Sequence, residues 1–257
     1  MKTSKEKFRA AMGEFVGCAF VSFFGLGLLV PFAVTGAIAT LTEFAIWFGV
    51  AFALTVMFTA PISGAHLNPC VTVALATFGD FDKKQVPGYI LAQVLGWGIG
   101  TVPLFLIYDH LFAEWAVMTG GNPATLFACA PAAGHAVSGA FLEMAMTALL
   151  VFAIFAMLDE RVPNRPTKAM FPIVISAIIS FDVALGAEYA GTSINSARDF
   201  GPRVASLVYG LIKGYDVSSL FGNGTWLIYI LAPMIGGLLG AAFHVFVVAK
   251  LFPKEEK

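Results

Sequence analysis

Two short stretches of this chain place polar side chains among small and apolar residues, at a spacing suited to binding hydroxyl groups. They read Gly191-Thr192-Ser193-Ile194-Asn195-Ser196-Ala197-Arg198-Asp199-Phe200-Gly201-Pro202 and Ser63-Gly64-Ala65-His66-Leu67-Asn68-Pro69-Cys70. Asn68 and Asn195 carry amide N–H donors, and Arg198 carries a permanently charged guanidinium. No nucleophile stands beside a general base, and no metal-ligand spacing is visible. The chemistry predicted is therefore reversible hydrogen bonding, without an enzyme reaction or a cofactor.

Each asparagine stands where a short apolar helix is expected to begin. Its side chain can accept from the free N–H groups of a first helical turn, and Pro69 suits the first helical position. The runs that follow, 68–78 and 195–209, are about 16 to 22 Å long as helices. A hydrocarbon core is about 30 Å thick. We therefore predict two half-helices that enter a membrane from loops, and such loops must be buried or line a water-filled cavity.

Composition indicates an integral membrane protein. The chain has 257 residues, of which 58% are hydrophobic and 12% charged, whereas soluble domains have about 25% charged residues. The formal net charge of −1 gives no indication of nucleic-acid binding. The three cysteines are odd in number and far apart, so they predict no disulfide framework.

Six longer apolar runs are predicted to span the bilayer. They cover residues 10–34, 41–60, 88–108, 135–158, 169–186 and 226–249. Residues 109–134 are predicted to form a loop between the third and fourth spans, and residues 212–224 a polar loop before the sixth. We expect one membrane domain over residues 1–257.

The two halves of the chain repeat one another. Glu14 lies 54 residues before Asn68, and Glu143 lies 52 residues before Asn195. Each half, at about 8–108 and about 135–250, holds three spans and one half-helix. Because three is odd, the halves are inverted in the membrane, and interrupted helices of such repeats meet near its midplane.

The distribution of positive charge predicts the orientation. Twelve of the 15 lysines and arginines lie in the N-terminal segment, the turn 79–87, the connector 159–168 and the C-terminal tail. Six spans put all four segments on one side. The positive-inside rule then places both termini in the cytoplasm of a multi-pass protein of the plasma (inner) membrane.

The two asparagine-centred boxes, Asn68-Pro69-Cys70 and Asn195-Ser196-Ala197, resemble the paired Asn-Pro-Ala boxes of the aquaporin family, most closely its glycerol-facilitator (aquaglyceroporin) branch. The flanking residues and the spans also match, so the resemblance covers nearly the whole chain. It implies an all-α membrane protein with six transmembrane helices and two re-entrant half-helices in an inverted repeat. It also implies a homotetramer that conducts small uncharged solutes, such as glycerol, related polyols and water, and excludes ions and protons.

The resemblance assigns roles to individual residues. The selectivity filter is placed at Phe48, Val183, Thr192 and Arg198, and a shift of one position would put Trp47 in place of Phe48. Pore-lining carbonyls are assigned to Gly64, Ala65, His66, Gly191, Thr192 and Ser193. Glu14 and Glu143 are assigned as supports that accept from loop N–H groups. Asp199 supports the first turn of its half-helix and marks the polyol-conducting branch.

Three residues depart from the family pattern. Cys70 stands in place of Ala and Ser196 in place of Pro. Val183 stands where water-selective members have His, so a wider opening with an apolar wall is expected. Glycerol-type relatives usually build that wall from two aromatic residues, and here Phe48 is alone, so solutes bulkier than glycerol are expected to fit. Asp182, beside Val183, is expected either to find a partner in the outer loops or to contact solute in the vestibule.

Two other functions are weighed against a glycerol channel. One is a channel for a neutral small organic acid or a diol, such as lactic acid or propanediol. The other is an ion-coupled transporter, which should place acids or a lysine at the midplane. The boxes carry neutral Asn68 and Asn195, which favours the channel.

Overall fold

The computed structural model describes residues 3–222 and 224–252. Within them the chain forms helices and no strands. The α-helices are α1 Ser4–Val21, α2 Leu41–Ser63, α3 Pro69–Phe78, α4 Val86–Thr119, α5 Ala136–Leu158, α6 Phe171–Ala190, α7 Ser196–Lys213, α8 Ser218–Phe221 and α9 Ile228–Phe246. Lys2, Lys254 and Lys257, which contribute to the orientation argument, lie outside the described residues.

Six helical segments of the described residues are long and apolar enough to cross a membrane. They are Ser4–Val34, Leu41–Ser63, Lys83–Thr119, Ala136–Leu158, Phe171–Ala190 and Thr225–Lys250. The first includes two π-helical turns after α1, at Ser22–Leu26 and Val30–Val34. The prediction of six spans is confirmed, and the protein is a multi-pass membrane protein.

The helices begin and end at residues that suit helix termini. Thr3 and Thr40 form capping boxes with Glu6 and Glu43, so that backbone and side-chain groups satisfy each other at the N-termini of α1 and α2. Helices α2, α4, α6 and α7 each end at a glycine in the left-handed conformation, which glycine adopts without steric cost.

Several predicted boundaries are wrong, including the ends of α4 and α7. Helix α4 continues to Thr119, so the first 11 residues of the predicted loop 109–134 are helical. Helix α7 ends at Lys213 rather than at residue 209. The extensions meet each other, since Lys213 Nζ and Tyr209 Oη donate to the carboxylate of Asp109 at 2.8 and 2.9 Å. The prediction followed the end of apolar sequence, but a helix continues through polar residues until a breaker, here Gly120, ends it.

Both half-helices start immediately after their asparagine. Helix α3 has 10 residues and α7 has 18, which is about 15 and 27 Å. Asn68 and Asn195 are extended N-caps whose side-chain oxygens accept from the first-turn N–H groups. The predicted pair of re-entrant half-helices is therefore part of the observed fold.

Glycines bring the long helices close behind the half-helices. A Cβ added at Gly236 or Gly240 of α9 would lie 2.1 Å from the carbonyl oxygen of Met144 or Ala148 on α5. Helices α4 and α1 are also in close contact, because a Cβ added at Gly100 would lie 2.3 Å from the carbonyl oxygen of Ala19. Small residues allow such contacts between membrane helices. The two helix pairs hold Glu14 and Glu143 at fixed distances from the loops that precede α3 and α7.

Candidate functional site

The two asparagines meet through reciprocal hydrogen bonds between the halves of the chain. Asn68 Nδ2 donates to the carbonyl of Ile194, and Asn195 Nδ2 donates to the carbonyl of Leu67, both at 2.8 Å. Each side-chain oxygen accepts from its own helix. Because a side-chain amide has two N–H groups, each asparagine keeps a second donor. Both asparagines border one large cavity.

The backbone before each asparagine adopts the same unusual conformation. Ala65 and Leu67 have φ of +52° and +53°, and Thr192 and Ile194 have φ of +48° and +45°. Non-glycine residues in this region cost about 1–2 kcal/mol each, so other contacts must stabilise the two loops.

Two buried glutamates provide those contacts. Glu14 accepts from the backbone N–H groups of His66 and Leu67 at 3.0 and 2.6 Å. Glu143 accepts from Ser193 and Ile194, both at 2.7 Å. Neither glutamate is exposed. Their carboxylates satisfy loop donors that a helix or sheet would otherwise satisfy, and neither residue borders the cavities described below.

Two of the cavities among the described residues share part of their walls. The larger has a volume of about 880 Å³ and extends from the asparagines to Leu158 and Lys168 at one end of the spans. The smaller has a volume of about 260 Å³ and lies toward the loop that joins α4 to α5. Four residues line both cavities: Phe48, Val183, Thr192 and Arg198. The four residues that the resemblance assigned as a filter thus stand together where the two spaces join.

The burial of Phe48 and Trp47 shows which of the two side chains faces the cavities. Phe48 is 4% exposed and faces the cavities, whereas Trp47 is 55% exposed on the outer surface of α2. Two further aromatics that sequence reasoning missed, Phe32 and Phe44, line the smaller cavity beside Phe48. Phe44 lies one helical turn before Phe48, a spacing that puts both side chains on one face.

The residues assigned as pore-lining carbonyl acceptors also border these spaces. Gly64, Ala65, His66, Thr192 and Ser193 line the larger cavity, and Gly191 and Thr192 line the smaller one. His66 Nδ1 lies 3.1 Å from the hydroxyl of Thr72, and its ring packs against Phe81 and Tyr89.

Asp199 is part of a buried ion pair that the sequence analysis did not identify. Arg203 Nε donates to Asp199 Oδ2 at 2.8 Å, and both side chains are at most 3% exposed. Asp199 also accepts from the backbone N–H of Cys129 at 2.7 Å. The spacing of four residues on one helix could have indicated the Asp199–Arg203 pair, but nothing in the sequence indicates the contact with Cys129, 70 residues away.

Two of the three departures from the family pattern, Cys70 and Ser196, lie close together. Cys70 Sγ is 3.4 Å from Ser196 Oγ, and Ser196 Oγ donates to the carbonyl of Ile230 at 3.1 Å. Ala197, next in the second box, is fully buried and lines neither cavity, as is true of Cys70.

Asp182 is also fully buried and lines neither cavity, so the expected vestibule contact is not present in this structure. Its carboxylate accepts no hydrogen bond from the described residues, so the alternative partner in the outer loops is not found there either.

The described residues include no group of three or more His, Cys, Asp or Glu side chains arranged to hold a metal ion.

The family profile of the major intrinsic proteins matches residues 1–244. The chain belongs to the major intrinsic protein family. This family consists of channels and facilitators, and the resemblance noted in the sequence is confirmed.

Relatives of similar length support the same assignment. The chain is 34% identical to the propanediol uptake facilitator of Citrobacter freundii, over 94% of this chain and 93% of that one. It is also 34% identical to the glycerol uptake facilitator protein of Haemophilus influenzae, over 90% and 88% of the two chains. The X-ray structure of the aquaglyceroporin from Plasmodium falciparum has the same fold, with a TM-score of 0.86 and 24% identity, covering 96% of this chain and 98% of that one.

Proposed function

We propose that this protein is a passive channel for small uncharged solutes, chiefly glycerol and related polyols, together with water. The observation that carries the proposal is the arrangement of the two cavities, which join at Phe48, Val183, Thr192 and Arg198. A solute that crosses this junction meets a phenyl ring, an isopropyl group and a guanidinium. Such a surface suits a molecule with a carbon skeleton on one side and hydroxyls on the other.

We further propose that the hydroxyls of a solute exchange water for protein groups along the larger cavity. Asn68 and Asn195 each have an N–H that their mutual contacts do not use. Backbone carbonyls of the two loops, at Gly64, Ala65 and His66 and at Gly191, Thr192 and Ser193, serve as acceptors. Alternating donors and acceptors replace hydration without binding the solute strongly at any one point, which is what fast conduction requires.

A second solute class is favoured by one residue. Val183 offers an apolar contact at the junction, where a methyl group can pack as well as a CH₂OH group. A diol such as propanediol fits this wall, in keeping with the named substrate of the Citrobacter relative. A neutral organic acid of the same size, such as lactic acid, is a third candidate. Ion coupling is not favoured, because the groups at the asparagine boxes are neutral.

The proposed setting of the channel follows from the orientation and family arguments. The protein lies in the plasma (inner) membrane with both termini in the cytoplasm, as a homotetramer of single-domain subunits. Each subunit is an inverted repeat of residues 8–108 and 135–250. It catalyses no covalent reaction and needs no cofactor or nucleic acid.

Reconstitution of the purified protein tests the proposal. Vesicles that contain the protein are mixed in a stopped-flow instrument with isotonic gradients of glycerol, propanediol, lactic acid and an ionic osmolyte. We expect glycerol and diol swelling rates at least about tenfold above those of empty vesicles, which corresponds to about 1.4 kcal/mol of barrier. Rates equal to those of empty vesicles for every neutral solute would refute the channel function.

A further inference from the structure

Cys129 lies against Arg198, one of the residues at which the two cavities join. It belongs to the segment between α4 and α5, outside the membrane spans, and it lines the smaller cavity together with Arg198. Arg198 Nη1 donates to Cys129 Sγ at 2.9 Å, and Cys129 Sγ donates to the carbonyl of Gly191 at 3.4 Å. The thiol therefore connects the guanidinium to the loop that precedes the second half-helix.

The backbone of Cys129 is held in place from both sides. Its N–H donates to Asp199 at 2.7 Å, and its carbonyl accepts from Arg203. Asp199 and Arg203 are paired with each other and almost fully buried. Because Asp199 and Arg203 lie on the same helix as Arg198, this clamp fixes the sulfur relative to the guanidinium that it contacts.

The thiol is suited to hold the guanidinium without neutralising it. Burial raises the pKa of the Cys129 thiol above its ordinary value, so the group stays in the neutral S–H form at physiological pH. A neutral thiol has one weak donor, here used toward Gly191, and a weakly accepting sulfur, here used toward Arg198. A carboxylate at this place would pair with the charge, whereas sulfur fixes Nη1 and leaves the positive charge for the solute. Arg198 Nε has no partner among the described residues.

We propose that Cys129 is a specificity-determining residue of the channel, which acts by positioning the guanidinium of Arg198. The proposal rests on the function proposed above. The sulfur acts on the junction of Phe48, Val183, Thr192 and Arg198 from the wall of the smaller cavity. A polyol must place two hydroxyls at once, so its passage depends on where the guanidinium points. Water needs only one contact, so its passage depends on that orientation much less.

Three variants in reconstituted vesicles test this role. Cys129→Ala removes the acceptor, and Cys129→Ser replaces sulfur by a hydroxyl that can make the same two contacts. Cys18→Ala is the matched control, because Cys18 is fully buried, lines neither cavity and donates to the carbonyl of Leu67. For each variant, the ratio of glycerol to water permeability is measured by stopped-flow light scattering, beside tetramer content and thermal midpoint in detergent.

We expect Cys129→Ala to lower the ratio of glycerol to water permeability by about three- to tenfold, the factor that one hydrogen bond of ordinary strength contributes. Cys129→Ser should recover most of the parent ratio, and Cys18→Ala should keep it even if its thermal midpoint falls. A parent-like ratio in Cys129→Ala, or equal losses in the Ser and Ala variants, overturns the proposal. A parent protein that conducts no glycerol refutes the proposed function instead, so the two failures are distinguishable.

Discussion

Val183 is the residue at the junction whose identity differs most from the water-selective members of the family. It is 3% exposed and borders both cavities. An imidazole at this position would fill the space that the isopropyl group leaves and would add a polar contact. A polyol loses room and apolar contact by this change, whereas a water molecule gains a partner.

We therefore expect Val183→His to retain water permeability and to lower glycerol permeability by at least about tenfold, or about 1.4 kcal/mol in barrier height. Stopped-flow light scattering under separate water and glycerol gradients measures both. Val183→Ala is the control, because it widens the junction without a polar group and should conduct glycerol at least as well as the parent. If the histidine variant conducts glycerol like the parent, Val183 does not form the constriction.

Individual residues of the site differ in how far the sequence predicts them. Asn68 and Asn195 are indicated by helix capping, because each stands directly before a short apolar run. Phe48 and Arg198 are indicated only by the family resemblance. Cys129 could not be predicted, since it lies in an irregular segment that touches Arg198 across 69 residues of sequence. Asp182 stands out in the sequence as an acid in a membrane helix, but its complete burial without a side-chain hydrogen bond from the described residues depends on packing that no local pattern encodes.

At the scale of elements, the loops before α3 and α7 are the parts whose structure most needs support. Each contains non-glycine residues with positive φ, and each directs two backbone N–H groups to one glutamate. Glu14 also accepts from Gln93 Nε2 at 2.8 Å. A glutamine at either position has only one oxygen to accept with, and its NH₂ group would face backbone donors.

We expect Glu14→Gln and Glu143→Gln to lower the yield of folded protein and its thermal midpoint in detergent. The cost is about 1–3 kcal/mol for each buried donor left unsatisfied. The material that does fold should keep the parent ratio of water to glycerol permeability, because the glutamates line neither cavity. Glu160→Gln serves as the control, since that side chain is 88% exposed and its loss should change neither quantity. Stable Glu14 or Glu143 variants with an altered ratio would show that the carboxylates act on solute directly.

The helix boundaries show where hydropathy no longer predicts the structure of an element. Hydropathy located all six spans, because a membrane helix must be apolar along its length. It failed beyond residue 108, where α4 leaves the apolar region and continues to Thr119. There the helix is held by contacts of Asp109 with Tyr209 and Lys213 of α7, and a pairing between segments 100 residues apart leaves no trace in either segment alone.

At the scale of the whole molecule, the inverted arrangement of the two halves determines the electrostatics of the pore. It brings the N-termini of α3 and α7 together, and each terminus contributes about half a positive charge. Asn68 and Asn195 donate across the same point, and the guanidinium of Arg198 lies one helical turn away on α7. A cation that enters the larger cavity meets these three sources of positive potential, and the described residues that line the cavity include Lys168 but no carboxylate.

The same arrangement opposes proton transfer along a file of water. A water molecule whose oxygen accepts from both asparagines has no lone pair left to take a proton from its neighbour, and its own hydrogens point outward along the pore.

We therefore expect vesicles with the protein to conduct glycerol while an imposed pH gradient decays no faster than in empty vesicles. An entrapped pH-sensitive dye reports the internal pH, and a protonophore added at the end gives the signal for complete collapse of the pH gradient. Protein-dependent proton flux comparable to glycerol flux would mean that the asparagines and helix termini do not interrupt the water file.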